Sequence, residues 1–239
     1  MIDFQIEKIK PLCSEFGIDL TYEIKDKLNL YGNLLLEWNE KINLTAITEP
    51  QEVLYKHFYD CILFLKSVSL KKGATLIDVG TGAGFPGMVL KIVRPDLKIT
   101  LLDSLNKRLV FLNDVIEKLG LTNIETLHMR AEDAGKSKKC REQFDVATAR
   151  AVANLPVLME YCLPLVKKGG IFVSMKGPSV KDEVMLCDNA IKLLGCEKPD
   201  IICEALPNND MRAFCIFKKI SQTPPKYPRK PADISKQPL

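Results

Sequence analysis

The sequence predicts an α/β protein: a doubly wound, mostly parallel sheet behind an N-terminal helical extension. Three observations carry this. In the first third, apolar residues recur at three- and four-residue steps. From residue 74, short apolar runs alternate with helical patterns, the rhythm of right-handed crossovers that cover a parallel sheet on both faces. At the first crossover stands DVGTGAGFPG (78–87), with four glycines between a strand pattern and a helix pattern.

Taken in order, Leu28, Tyr31, Leu34, Leu35 and Trp38 predict an amphipathic helix over about 21–41. Val53, Leu54, His57, Phe58, Cys61, Ile62 and Leu65 predict a second, opened by Pro50 in its first turn. WNEKINLTAITEP joins them and reads as a loop or broken helix. Strands follow at 75–79, 99–103, 124–128, 145–149 and 171–175, with helices over 86–93, 105–119, 154–166 and 178–194. Runs at 201–205 and 213–217, joined by LPNNDMR, suit an antiparallel hairpin. Such a hairpin differs from the symmetric six-strand dinucleotide fold. The tail SQTPPKYPRKPADISKQPL holds 5 of the 14 prolines and is expected to lack regular structure. The expected boundaries are a helical region 1–66, a sheet domain 67–220 and a basic tail 221–239.

Composition narrows the function. At 239 residues, 46% hydrophobic and 27% charged, the chain suits a soluble protein with one large core, or one core plus a small satellite unit. No run approaches a membrane span, and MIDFQIEKIK does not resemble a secretory leader, so a cytoplasmic location without a membrane partner is expected. The 8 cysteines lie at least seven residues apart and mostly in apolar surroundings; they read as reduced, buried thiols, with no metal site. Net charge is +4, distributed as −4 over 1–66, +5 over 67–220 and +3 over 221–239. That bias is compatible with a polyanionic partner.

The glycine loop follows a strand and opens a helix, as a nucleotide-binding turn does. Gly80, Gly82 and Gly84 allow positive φ and a close backbone approach to a ligand. Pyrophosphate, however, needs N–H donors and avoids carboxylates. Pro86 removes one donor, and Asp78 adds negative charge at the strand end. These features favour a phosphate-free nucleoside that carries positive charge, such as S-adenosylmethionine. Asp103, nineteen residues beyond Gly84, suits ribose hydroxyls in either cofactor class, so a nicotinamide dinucleotide stays open at this point.

DVGTGAGFPG, LLDSLNKRLVFL, MRAED, FDVATARAVANL and FVSMKG, in this order, resemble the small-subunit (16S) ribosomal RNA methyltransferase G family, also known as glucose-inhibited division protein B. WNEKINLTAI, KHFYDCILFL and TPPKYPRKP extend the resemblance over about 36–231. It implies the class I S-adenosylmethionine-dependent, Rossmann-like methyltransferase fold. It also implies methylation of guanine N7 at one guanosine of 16S rRNA, with 16S rRNA or the small ribosomal subunit as partner. By the same resemblance, Gly80 and Phe85 belong to the loop's contacts with the cofactor, and Gly82 and Gly84 join them from the loop's own spacing. Asp103 is the ribose partner, Ala131 and Glu132 are adenine-side contacts, and Arg150 stands at the mouth of the cofactor site. His57, Asp60 and Lys176 are substrate-side positioning candidates. Guanine N7 carries a lone pair and no proton, so no general base is expected among them. Lys107, Arg108 and Lys176 are candidate phosphate contacts, as are Lys226, Tyr227, Arg229 and Lys230 in the tail.

Overall fold

The computed structural model describes residues 1–239. Seven strands form one sheet: β1 (Thr75–Val79), β2 (Lys98–Asp103), β3 (Ile124–His128), β4 (Phe144–Arg150), β5 (Val166–Lys176), β6 (Asp200–Ala205) and β7 (Met211–Lys218). Their order is β3-β2-β1-β4-β5-β7-β6, and only the pairings of β7 with β5 and β6 are antiparallel. From β1 the chain winds outward to β2 and β3, then crosses back to place β4 on the other side of β1. The reversal opens a crevice at the carboxyl ends of β1 and β4, where α/β sheets bind ligands. Apolar runs such as Leu76-Ile77 and Leu101-Leu102 are buried because helices cover both faces.

The N-terminal helices share a core with the sheet. Thr21 starts the Tyr22–Asn39 helix, its hydroxyl accepting from Ile24 N at 3.4 Å. Leu28, Tyr31, Leu34 and Leu35 form the buried face and pack in one cluster with Leu76, Val89 and Leu101. The Tyr31 hydroxyl, fully buried, donates to the Ala83 carbonyl inside the glycine loop. The 40–49 segment is non-helical, closed by Asn39 Oδ1 accepting from Leu44 N (2.8 Å) and Thr45 N (3.0 Å). Glu49 and Pro50 then open a continuous helical run to Ser67, which widens into a π turn over Leu54–Tyr59.

Three expectations need correction. The helix expected over 154–166 ends at Cys162, and Leu163–Leu165 form a 3₁₀ turn, since Pro164 has no N–H to continue the ladder. The helix expected over 178–194 is two, Val180–Met185 and Asp188–Leu194; Cys187 Sγ donates to the Glu183 carbonyl at the break (3.1 Å). The tail is not unstructured. Thr223, Tyr227 and Pro228 are buried, and Pro231, first residue of a short helix, leads into Pro231–Lys236 with Ile234 at full burial.

Candidate active site

Asp78, at the end of β1, does not face a ligand. It is fully buried, and its Oδ2 accepts from Thr81 Oγ1 (2.7 Å) and Gly87 N (2.9 Å), tying both ends of the glycine loop to the strand. Its Oδ1 has no partner, and burial pushes the carboxyl pKa up to about 6. Contrary to the expectation from the sequence, Asp78 therefore offers a cationic ligand no direct contact.

Asp103, ending β2, holds the same loop from outside. Its Oδ2 accepts from Gly82 N at 2.9 Å and Arg108 Nη1 at 3.3 Å, while Oδ1 accepts from Leu105 N at 2.9 Å. Oδ2 is thereby filled, while Oδ1 keeps one lone pair for a hydroxyl donor. The carboxylate borders a cavity of about 320 Å³, also lined by Gly80, Ala131, Glu132, Val152 and Tyr161. Gly80 has φ +68°, and a Cβ there would stand 2.8 Å from Val152 Cγ2, so only glycine leaves this wall open. The volume and the remaining Asp103 Oδ1 lone pair fit a nucleoside, and Gly80, Asp103, Ala131 and Glu132 would hold it.

The remaining loop residues lie elsewhere. Gly84 faces the core, where a Cβ would come within 2.8 Å of Leu112 Cδ2 and of the Tyr31 hydroxyl. Phe85, 5% exposed, stacks on His57 with ring centroids 4.3 Å apart. Gly82 borders the cavity only through its N–H bond to Asp103.

A second cavity of about 350 Å³ is lined by Lys56, His57, Asp60, Arg150, Lys176 and Arg212, among others. Arg150 is its hub, so it stands here and not on the wall of the first cavity. Its Nη1 donates to Asp60 Oδ2 and the Lys56 carbonyl, both at 3.0 Å. Its Nη2 donates to His57 Nδ1 at 3.1 Å, and its guanidinium lies 4.9 Å above the Phe85 ring. His57 Nδ1 also lies 3.0 Å from the Lys56 carbonyl, and Nε2 bonds Thr45 Oγ1 at 2.9 Å. Burial, then the Arg150 charge, holds the His57 pKa down at about 3. Asp60, 2% exposed, also meets Arg212 Nε at 3.3 Å; burial raises its pKa against the pull of the two arginines.

Lys176 is committed. Its Nζ donates to the Ala153 carbonyl (2.7 Å) and Glu183 Oε2 (2.8 Å), an oxygen that also accepts from Leu155 N (2.6 Å). The lysine thus clasps the loop after β4. Ala151 in that loop lines both cavities and has φ +56°, a left-handed conformation that costs a non-glycine residue about 1 kcal/mol or more. Arg108 is tied to Asp103, whereas Lys107 is exposed. Sequence reasoning missed Ala151, Tyr161 and Arg212. Arg212 reaches the site from the hairpin, far along the chain from Asp60, with no local signal.

Sheet order and the crevice at its switch point define the class: a class I methyltransferase fold of the type that uses S-adenosylmethionine. Among solved structures, an S-adenosylmethionine-dependent methyltransferase from Aquifex aeolicus superposes with TM-score 0.52 at 19% identity, covering 76% of this chain and 97% of that one. A point mutant of the 16S rRNA (adenine(1408)-N(1))-methyltransferase from Catenulisporales acidiphilia gives 0.52 at 14% identity, over 64% and 88%. Residues 24–209 match the family model described as rRNA small subunit methyltransferase G. Ribosomal RNA small subunit methyltransferase G from Clostridium perfringens (strain 13 / Type A) is 49% identical over 232 residues, 97% of each chain. The protein of that name from Alkaliphilus metalliredigens is 50% identical over the same share. The chain belongs to the rRNA small subunit methyltransferase G family.

Proposed function

We propose that the protein transfers a methyl group from S-adenosylmethionine to N7 of one guanosine in 16S rRNA, recognised in the free rRNA or the small ribosomal subunit. The observation that carries this reading is the pair of adjoining cavities that share Ala151, one sized for a nucleoside and the other lined with cationic side chains. When bound, S-adenosylmethionine supplies an electrophilic methyl group.

The chain's own residues supply position and field. Asp103 and Glu132 accept from the nucleoside's donors, and Gly80 leaves room for it. The target base leaves its stack or loop to enter the second cavity. Arg150, fixed by Asp60, His57 and the Lys56 carbonyl, forms the rigid floor against which the base is oriented. Lys56 and Arg212 meet the flanking phosphates. No residue removes a proton, because N7 has none; His57 stays neutral and serves to hold Arg150 and Thr45. Lys176 orders the loop between the cavities.

The test uses 16S rRNA and small subunits from cells lacking the gene, incubated with the protein and S-adenosylmethionine carrying a labelled methyl group. One 7-methylguanosine per 16S rRNA, mapped to one position, is the expected result. Label on a base other than guanine, or at many sites, overturns the reading.

A further inference from the structure

The C-terminal segment Thr223–Arg229 is fastened to the two elements that carry one wall of the nucleoside cavity. Ala131 and Glu132 belong to the single helical turn Ala131–Ala134, and Tyr161 to the Leu155–Cys162 helix. A lone turn of four residues has no stability of its own and takes its position from what holds it.

Here the holding group is Arg141. Its Nη1 donates to the Gly135 carbonyl at the end of that turn (2.7 Å) and to the Tyr227 carbonyl (2.8 Å). Its Nη2 donates to the Thr223 carbonyl at 2.6 Å. Pro228 packs on Gly135 closely enough that a Cβ there would stand 2.9 Å from the ring. Tyr161 is fixed from its neighbour: Glu160, with no exposure, is gripped by Arg229 through its backbone N (2.7 Å to Oε1), Nε (2.9 Å to Oε1) and Nη2 (2.7 Å to Oε2). A two-pronged bond of this kind fixes orientation as well as distance. The next residue along the helix, Tyr161, lines the cavity.

We infer that Thr223–Arg229 is a brace that sets the affinity for S-adenosylmethionine, with Arg229 and Arg141 as positioning residues for the Glu132–Tyr161 wall. This rests on the assignment of that cavity to the cofactor. It replaces the tail's expected role as an RNA contact, because Tyr227 is 4% exposed and Arg229 is committed to Glu160. Of the four candidate contacts only Lys226 and Lys230 are exposed, and Lys226 Nζ lies 5.2 Å from the Tyr227 ring centroid.

The experiment compares full-length enzyme with Arg229→Met, Arg229→Lys and a chain ending at Ile220. It measures Kd for S-adenosylmethionine, KM and kcat, RNA affinity at several salt concentrations, and Tm. Leu97→Ala, a buried residue just before β2 at the opposite end from the cavity, serves as a control for general destabilisation. Arg229→Met is expected to raise Kd and KM for S-adenosylmethionine at least tenfold. Its kcat at saturating cofactor stays within twofold of wild type, and the salt slope of RNA binding is unchanged. Arg229→Lys, which keeps the charge without the fork, falls between and guards against a variant that does not fold. Unchanged Kd in Arg229→Met, or an equal rise in Leu97→Ala, overturns the brace. A flatter salt slope on removing the tail, with cofactor affinity intact, overturns it in favour of RNA contact. Wild-type protein that binds no S-adenosylmethionine overturns the functional reading itself.

Discussion

Replacing Asp78 by Asn isolates the electrostatic cost of the loop's anchor. The carboxyl is fully buried, one oxygen has no partner, and burial raises its pKa from 3.8 to about 6. Between those two values the folded protein holds a proton that the unfolded chain has released. Stability from this group is therefore complete below pH 3.8 and is lost as pH rises through 6. By pH 8 the ionised form costs about 3 kcal/mol, of which about 2 kcal/mol appears between pH 4.5 and pH 8. Asn keeps an acceptor oxygen for Thr81 and Gly87 and does not ionise. The amide NH₂ brings a penalty where Oδ1 stood, but that penalty is independent of pH. Urea unfolding of both proteins at pH 4.5, 6.5 and 8, without cofactor, gives the stability difference at each pH. It is expected to move in favour of Asp78→Asn by about 2 kcal/mol from the lowest pH to the highest. Curves that stay parallel refute the claim that a buried carboxylate ionises in the native loop.

Two further outcomes follow from the site. Gly80→Ala combines a left-handed φ of +68° with a Cβ 2.8 Å from Val152, so isothermal titration is expected to show loss of S-adenosylmethionine binding while circular dichroism stays native; retained affinity removes Gly80 from the cavity wall. His57, held neutral down to about pH 3, gives single-turnover rates no inflection near 6.5, while the unfolded chain's protonation lowers stability on acidification from 6.5 toward 3, by up to about 1.4 kcal/mol per pH unit. An inflection between pH 6 and 7 that disappears in His57→Phe contradicts the neutral assignment.

Local pattern carried much of the fold. The strands expected at 75–79 and 124–128 have those bounds, and the glycine loop opens the Gly87–Val93 helix. Burial on both sheet faces writes continuous apolar runs that are easily read. Gly80, Asp103 and Glu132 meet in one cavity because each ends or follows a strand at the same edge of the sheet. Arg150, His57 and Asp60 meet for a different reason: the π turn aims a helix at the end of β4, and no local pattern encodes that. Only the family resemblance picked them out, with Arg150 at the mouth of the cofactor site. The tail misled because prolines report that a segment is extended and say nothing of where it docks. Its partner, Glu160, lies on a helix 69 residues away.

The bond from Tyr31 to the Ala83 carbonyl has a consequence for how the cofactor arrives. Segments rich in glycine are expensive to order, since they have the most conformations to give up. Here that entropy is already spent in folding: a fully buried side chain of the N-terminal helix, together with Asp78 and Asp103, holds the loop in shape before any ligand is present. Pre-organisation of this kind makes association a docking event without a folding step and leaves more of the contact energy as affinity. With the cofactor in that cavity as proposed, the N-terminal helices support its site although none of their residues borders it.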